Sequence, residues 1–92
     1  MASGRDDKLG TVKVRILYFA SFRDAAGKAA EVRELPEGTR VLDLWATLAR
    51  EIPAFSRFER MPPAAVNRFT QPGYVPLEDG DEVAYLPPVA GG

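Results

Sequence analysis

The residues of this 92-residue chain best suited to chemistry are its last six, Pro87-Pro88-Val89-Ala90-Gly91-Gly92. They carry no charged side chain and nothing bulky, and they end on a bare Gly-Gly. Backbone without a Cβ can pass through a channel too narrow for any other residue. Two prolines ahead of it cannot continue a sheet ladder, and they stiffen the exit of the chain. The pattern reads as a tail built for insertion into another protein. An inert terminus would account for the same six residues equally well, so the chain before them decides.

The rest of the composition closes off most catalytic chemistry. There is no cysteine and no histidine, which excludes disulfides, thiolate metal sites, iron–sulfur clusters and a cysteine nucleophile. It also removes the commonest general base and metal ligand. Twelve basic against thirteen acidic residues give a net charge of −1 with no long run of either sign. Nucleic acid and anionic membrane are therefore poor partners. No apolar run approaches the roughly 18 residues of a membrane span, and the start has no signal-peptide core; the expected location is the cytoplasm. One domain of this size holds one core and no deep cleft with a second layer behind it.

The elements that must carry the tail are legible from periodicity. Residues 1–11 are polar and read as an extension, possessing no apolar pattern, ahead of a domain over 12–86 and a tail over 87–92. Thr11 to Phe19 alternates as a strand, with Val12, Val14, Ile16 and Tyr18 facing a core. Its outer set starts polar and turns apolar at Leu17 and Phe19, which suggests a contact surface. Ala20 to Ala29 reads as a loop around Gly27, and Ala30 to Leu35 as a second strand ended by Pro36-Glu37-Gly38. Thr39 to Ile52 is an amphipathic helix with Val41, Leu44, Trp45, Leu48 and Ile52 on one stripe, capped by Thr39 and stopped by Pro53. Trp45 belongs to the core rather than to a ligand site. Phe55, Phe58 and Met61 at spacing three suggest a short helical turn. Ala64 to Thr70 reads as a third strand, with Asn67 serving turn or backbone bonding. A turn follows at Gln71-Pro72-Gly73, then an extended piece near Tyr74, a turn at Glu78–Asp81, and a last strand from Glu82 to Leu86.

One helix packed on one face of a mixed sheet is the economical way to bury both stripes. The helix permits a crossover to a strand parallel to the first. This is an α+β architecture of β-grasp, ubiquitin-like type. In it the first and last strands are parallel central neighbours, so Phe19 and Leu86 share an exposed face beside the tail.

The stretches VKVRILYFASFRDAAG, AAVNRF and above all GDEVAYLPPVAGG resemble the small subunits of molybdopterin synthase. These are sulfur carriers of the ubiquitin-like group that also contains the thiamin sulfur carrier. The resemblance covers residues 12 to 92, and Pro-Pro before Gly-Gly is typical of the molybdopterin branch. Arg40 departs from the family's small capping residue, and the segment from Pro53 to Pro63 follows no family pattern.

The resemblance implies that an adenylating enzyme of ubiquitin-activating type uses ATP to join the Gly92 carboxylate to AMP. A sulfur donor then converts it to a thiocarboxylate. A large synthase subunit, in a heterotetramer of two small and two large subunits, receives the tail and uses the sulfur for the molybdopterin dithiolene. Phe19, Arg23 and Leu86 match family positions that contact the partner; Pro87, Pro88 and Gly91 belong to the threaded end. The chain itself binds no cofactor or metal and, lacking a base and a cleft, acts as a carrier rather than an enzyme when alone. A carrier for thiamin or tRNA thiolation, a ubiquitin-like modifier of lysines and a β-grasp interaction module with an inert tail are the alternatives.

Overall fold

The computed structural model describes residues 10–88. Of the expected extension over residues 1–11, residues 1–9 lie outside the described residues, whereas the Gly10 carbonyl accepts from the Glu37 amide and Thr11 already belongs to the first strand. The end of the tail, including Gly91 and Gly92, also lies outside the described residues.

Strand β1 (Thr11–Tyr18) forms as its alternation dictates. Val12, Val14, Ile16 and Tyr18 are buried, while Leu17 on the other face is half-buried. A five-stranded sheet is built around β1 and β5 (Glu82–Tyr85), which run parallel with Ile16 beside Val83 and Tyr18 beside Tyr85. The antiparallel strand β2 (Ala30–Pro36) closes one edge against β1. On the other side β3 (Ala64–Val66) pairs antiparallel with β5, and β4 (Phe69–Gln71) forms the far edge, giving the order β2-β1-β5-β3-β4. The strand parallel to β1 is thus the last one, and the strand that follows the main helix runs antiparallel to it.

Three local expectations are corrected. The segment after β1 is not a loop but a helix, α1 (Ala20–Ala26), closed by Gly27 at φ 78° whose amide donates to the Arg23 carbonyl. Seven residues are too few to show a helical stripe, and one buried side chain, Phe22, anchors them. Its ring lies 4.8 Å from Phe55 and 5.6 Å from Trp45 between centroids, so packing supplies what periodicity does not show.

The second correction concerns the cap of the main helix, α2 (Val41–Glu51). Its N-cap is Arg40, not Thr39. Asp43 accepts from the Arg40 amide at 2.9 Å and from its guanidinium at 2.9 Å through each carboxylate oxygen. Those bonds draw the Asp43 pKa down to about 2. Thr39 instead donates its hydroxyl to the Pro36 carbonyl at 2.6 Å. The first helical amides, Val41 and Leu42, find partners in the carbonyls of Val75 and Gly73, each at 2.9 Å. Gly73 approaches closely there: a Cβ would stand 3.2 Å from the Leu42 Cβ, tighter than ordinary van der Waals contact.

Third, the sequence from Ala64 to Thr70 is two strands, not one. It folds as a hairpin with Asn67 and Arg68 at φ 52° and 77°. Positive φ at both central residues is the signature of the tight turn whose twist matches paired strands.

The stripe on α2 is otherwise as expected: Val41, Leu44, Trp45 and Leu48 are buried, and Ile52 is its half-buried C-cap. Burial of each such large side chain contributes about 1.5–3 kcal/mol. A short 3-10 helix (Pro53–Arg57) begins on a proline and buries Phe55, with Phe58 and Met61 packed at the core edge. Phe55 stacks on Trp45 at 4.9 Å and 11° between planes, so Trp45 is core, as its place on the stripe requires. No polar or charged side chain is buried among the described residues.

Candidate functional site

The site residues expected from sequence cluster where β5 leaves the sheet. Tyr85 is its last strand residue and faces the core. Its hydroxyl donates to the Val41 carbonyl at 2.7 Å, tying the strand end to the start of α2. Burial raises the Tyr85 pKa far above the ordinary phenol value, so it stays a neutral hydrogen-bond donor. The tail root therefore rests on a fixed pillar.

The next residue turns outward. Leu86 is 38% exposed and Phe19, at the end of β1, is 46% exposed. The parallel register sets Tyr18 beside Tyr85, and one step further brings Phe19 and Leu86 side by side. With Leu17, Ala65 and Ala84 they line a shallow groove of about 460 Å³ across the outer face, with Arg15, Arg68 and Glu82 toward its polar end. Ala84 faces outward as strand alternation requires, yet it keeps only 8% exposure because it forms the groove floor.

Of the residues singled out from sequence, Phe19 and Leu86 meet in this groove. Pro87 and Pro88 follow directly, half-buried and exposed respectively. Arg23 does not line it. It is an exposed residue of α1, one step from buried Phe22, with its amide donating to the Phe19 carbonyl at 3.2 Å. Ala65 and Arg68 were not singled out. Ala65 reaches the groove because β3 pairs with β5 and sets it beside Ala84. Arg68 is placed by the hairpin turn at Asn67-Arg68, whose sequence signal is weak because no glycine marks it. Asn67 serves as expected in backbone bonding. Its amide nitrogen and side-chain oxygen engage Glu82, and its side-chain nitrogen donates to Asp81.

The groove holds no nucleophile–base pair. Among the described residues no group of three or more Asp and Glu is arranged to hold a metal ion, and no helix is long and apolar enough to cross a membrane. The chemistry available here is apolar docking beside a chain end.

The fold is that of a ubiquitin-like β-grasp domain, with an open, mostly apolar groove beside the end of its last strand. The chain belongs to the ThiS family, whose profile matches residues 16–92. It is 39% identical to a curated Mycobacterium tuberculosis protein named molybdopterin synthase sulfur carrier subunit, over 88% of this chain and 99% of that one. A solved Pyrococcus furiosus structure, described as a candidate molybdopterin converting factor subunit 1, superposes with a TM-score of 0.76. It is 37% identical and covers 85% of this chain and 99% of its own. The same fold recurs at 21% identity and TM-score 0.59 in a Helicobacter pylori complex of subunits 1 and 2 of molybdopterin-converting factor, over 88% of this chain and all of that one.

Proposed function

We propose that this chain is the sulfur carrier subunit of a molybdopterin synthase, with the Gly92 carboxylate as its reactive group. The observation that carries this reading is the geometry of the strand end. The chain leaves the sheet at Leu86 beside an exposed Phe19, so a partner that covers the groove meets the tail at once. The kinship with curated sulfur carrier subunits supports it.

The chemistry follows from what the chain has and lacks. With no cysteine to hold sulfur, the terminal carboxylate is the group to activate. Its oxygen attacks the α-phosphorus of ATP in an adenylating partner and pyrophosphate leaves. Hydrosulfide supplied by a sulfur donor then attacks the acyl carbon and AMP leaves, giving a thiocarboxylate. A large synthase subunit receives the tail and takes up the sulfur, in an assembly of two small and two large subunits. Val89 to Gly92 present no large or charged side chain to such a channel. Arg23, on α1 near Phe19, pairs with an acidic group of that partner. The catalytic groups belong to the partners, and the setting is the cytoplasm.

The test is a mass measurement on the full chain after incubation with ATP, a sulfur source and the activating enzyme. The expected result is one oxygen-to-sulfur exchange at Gly92, lost when Gly92 is deleted or one residue is added after it. Normal sulfur transfer from the shortened chain would remove the proposal, and adducts to lysines of other proteins would make it a modifier instead.

A further inference from the structure

Two pairs of prolines, Pro62-Pro63 and Pro87-Pro88, stand across from each other where the sheet ends. Ala64 pairs with Tyr85, so one step further sets Pro63 opposite Leu86, and two more set Met61 opposite Pro88. The Asn67 amide donates to the Glu82 carbonyl at 2.7 Å, and the Leu86 amide donates to the Pro63 carbonyl at 2.9 Å. The hydrogen-bonded pairs are therefore 67 with 82, 65 with 84 and 63 with 86, and the next is 61 with 88. A complete pair exchanges two bonds. At 63 with 86 the return donor is the nitrogen of Pro63, and at 61 with 88 one donor is the nitrogen of Pro88. Neither carries a hydrogen.

The β1 side ends in the same way. The Arg15 amide donates to the Asp81 carbonyl at 2.9 Å, and the parallel ladder alternates upward from there. Its first donor beyond β5 is residue 87, aimed at the Phe19 carbonyl. Residue 87 is again proline, and the Phe19 carbonyl is already taken by the α1 amides of Phe22 at 2.9 Å and Arg23 at 3.2 Å. Three successive rungs on the two flanks of the strand thus have proline at the donor.

We propose that Pro63, Pro87 and Pro88 are positioning residues that end the ladder on both flanks at Leu86, keep the terminal segment out of its own sheet and so present it to a partner. The remaining bond from Leu86 to Pro63 fixes the point of departure. This gives the end of the Pro53–Pro63 segment a function, and it rests on the reading of Gly92 as an inserted, reactive terminus. Restoring the donors at 63 and 88 lets residues 86–88 pair with residues 61–63 and extend the ladder beyond Ala64, which shortens the reach of the carboxylate.

The experiment uses ¹⁵N-labelled full-length chain carrying Pro63→Ala with Pro88→Ala, with Pro88→Ala alone as a variant at an exposed site outside the core. Amide hydrogen exchange at positions 63 and 88 of the double variant is expected to run about tenfold slower than in unstructured reference peptides. ATP–pyrophosphate exchange with the activating enzyme is expected to lose about tenfold in kcat/KM. Peptide-like exchange at the substituted positions in the folded variants would overturn the proposal. The two readings separate cleanly. If the unaltered chain is never adenylated while the new amides at positions 63 and 88 are protected, the sulfur-carrier reading falls and the proline exit stands. Adenylation of the unaltered chain with both new amides unprotected gives the reverse.

Discussion

Truncating Phe19 to alanine removes the largest exposed apolar side chain of the groove beside the tail, and the structure sets what that costs. The residue is 46% exposed. A phenylalanine buries roughly 150–250 Å², so about 70–110 Å² remains for a partner to cover, worth at most about 2–3 kcal/mol at ~25 cal/mol per Å². Ordering of partner side chains and incomplete coverage trim this, leaving about 1–2 kcal/mol. Leu86 is 38% exposed, and the corresponding share of a full leucine burial is about 1 kcal/mol. Phe19→Ala is thus expected to raise the Kd for the proposed large-subunit partner about tenfold, and Leu86→Ala about fivefold. Isothermal titration calorimetry at fixed salt measures it. Both side chains stand outside the core, so thermal melting stays within about 0.5 kcal/mol of the parent. Tyr74, 71% exposed on the loop that caps α2, is the control and is expected to leave affinity unchanged on truncation. Unaltered affinity in both Phe19→Ala and Leu86→Ala, or an equal loss in Tyr74→Ala, would show that docking uses another face.

Two further outcomes probe the scaffold. Tyr85→Phe removes the bond to the Val41 carbonyl. That carbonyl keeps its helical partner, so urea denaturation should report a loss of about 1 kcal/mol. The acid limb of stability depends on the cluster in which Tyr18, Arg33 and Lys28 surround Glu31 and Arg33 also bridges to Glu51. Partial burial works against the Glu31 carboxylate, but the bonds from Tyr18, Arg33 and Lys28 outweigh it and hold its pKa below 4.5. The bond from Arg33 does the same for Glu51. Folded values below unfolded ones mean that this stabilisation is complete above about pH 4.5 and is lost as pH falls through the lowered values. Melting temperature followed against pH should therefore drop on acidification, less steeply in Glu31→Gln, and parallel curves would contradict the assignment.

Much of this protein is written in its sequence because its determinants are local. Alternation over Thr11–Tyr18 fixes which side chains are buried. The stripe Val41, Leu44, Trp45, Leu48 fixes the helix face. The absence of cysteine and histidine and the Gly-Gly end narrow the chemistry before any coordinate exists. What the sequence does not decide depends on contacts between distant residues. Helix α1 forms because Phe22 finds Phe55 and Trp45 across the fold, and no seven-residue stretch carries that information in its own pattern. The cap moves to Arg40 because loop carbonyls about 30 residues downstream reach the first helical amides. The groove exists only once parallel pairing sets β1 beside β5, antiparallel pairing sets β3 beside β5, and the Asn67-Arg68 turn places Arg68 at its rim. Residue types set which chemistry the chain can present; pairing between strands about 70 residues apart sets where it is presented, because hydrogen-bond register is a property of two segments and of neither alone.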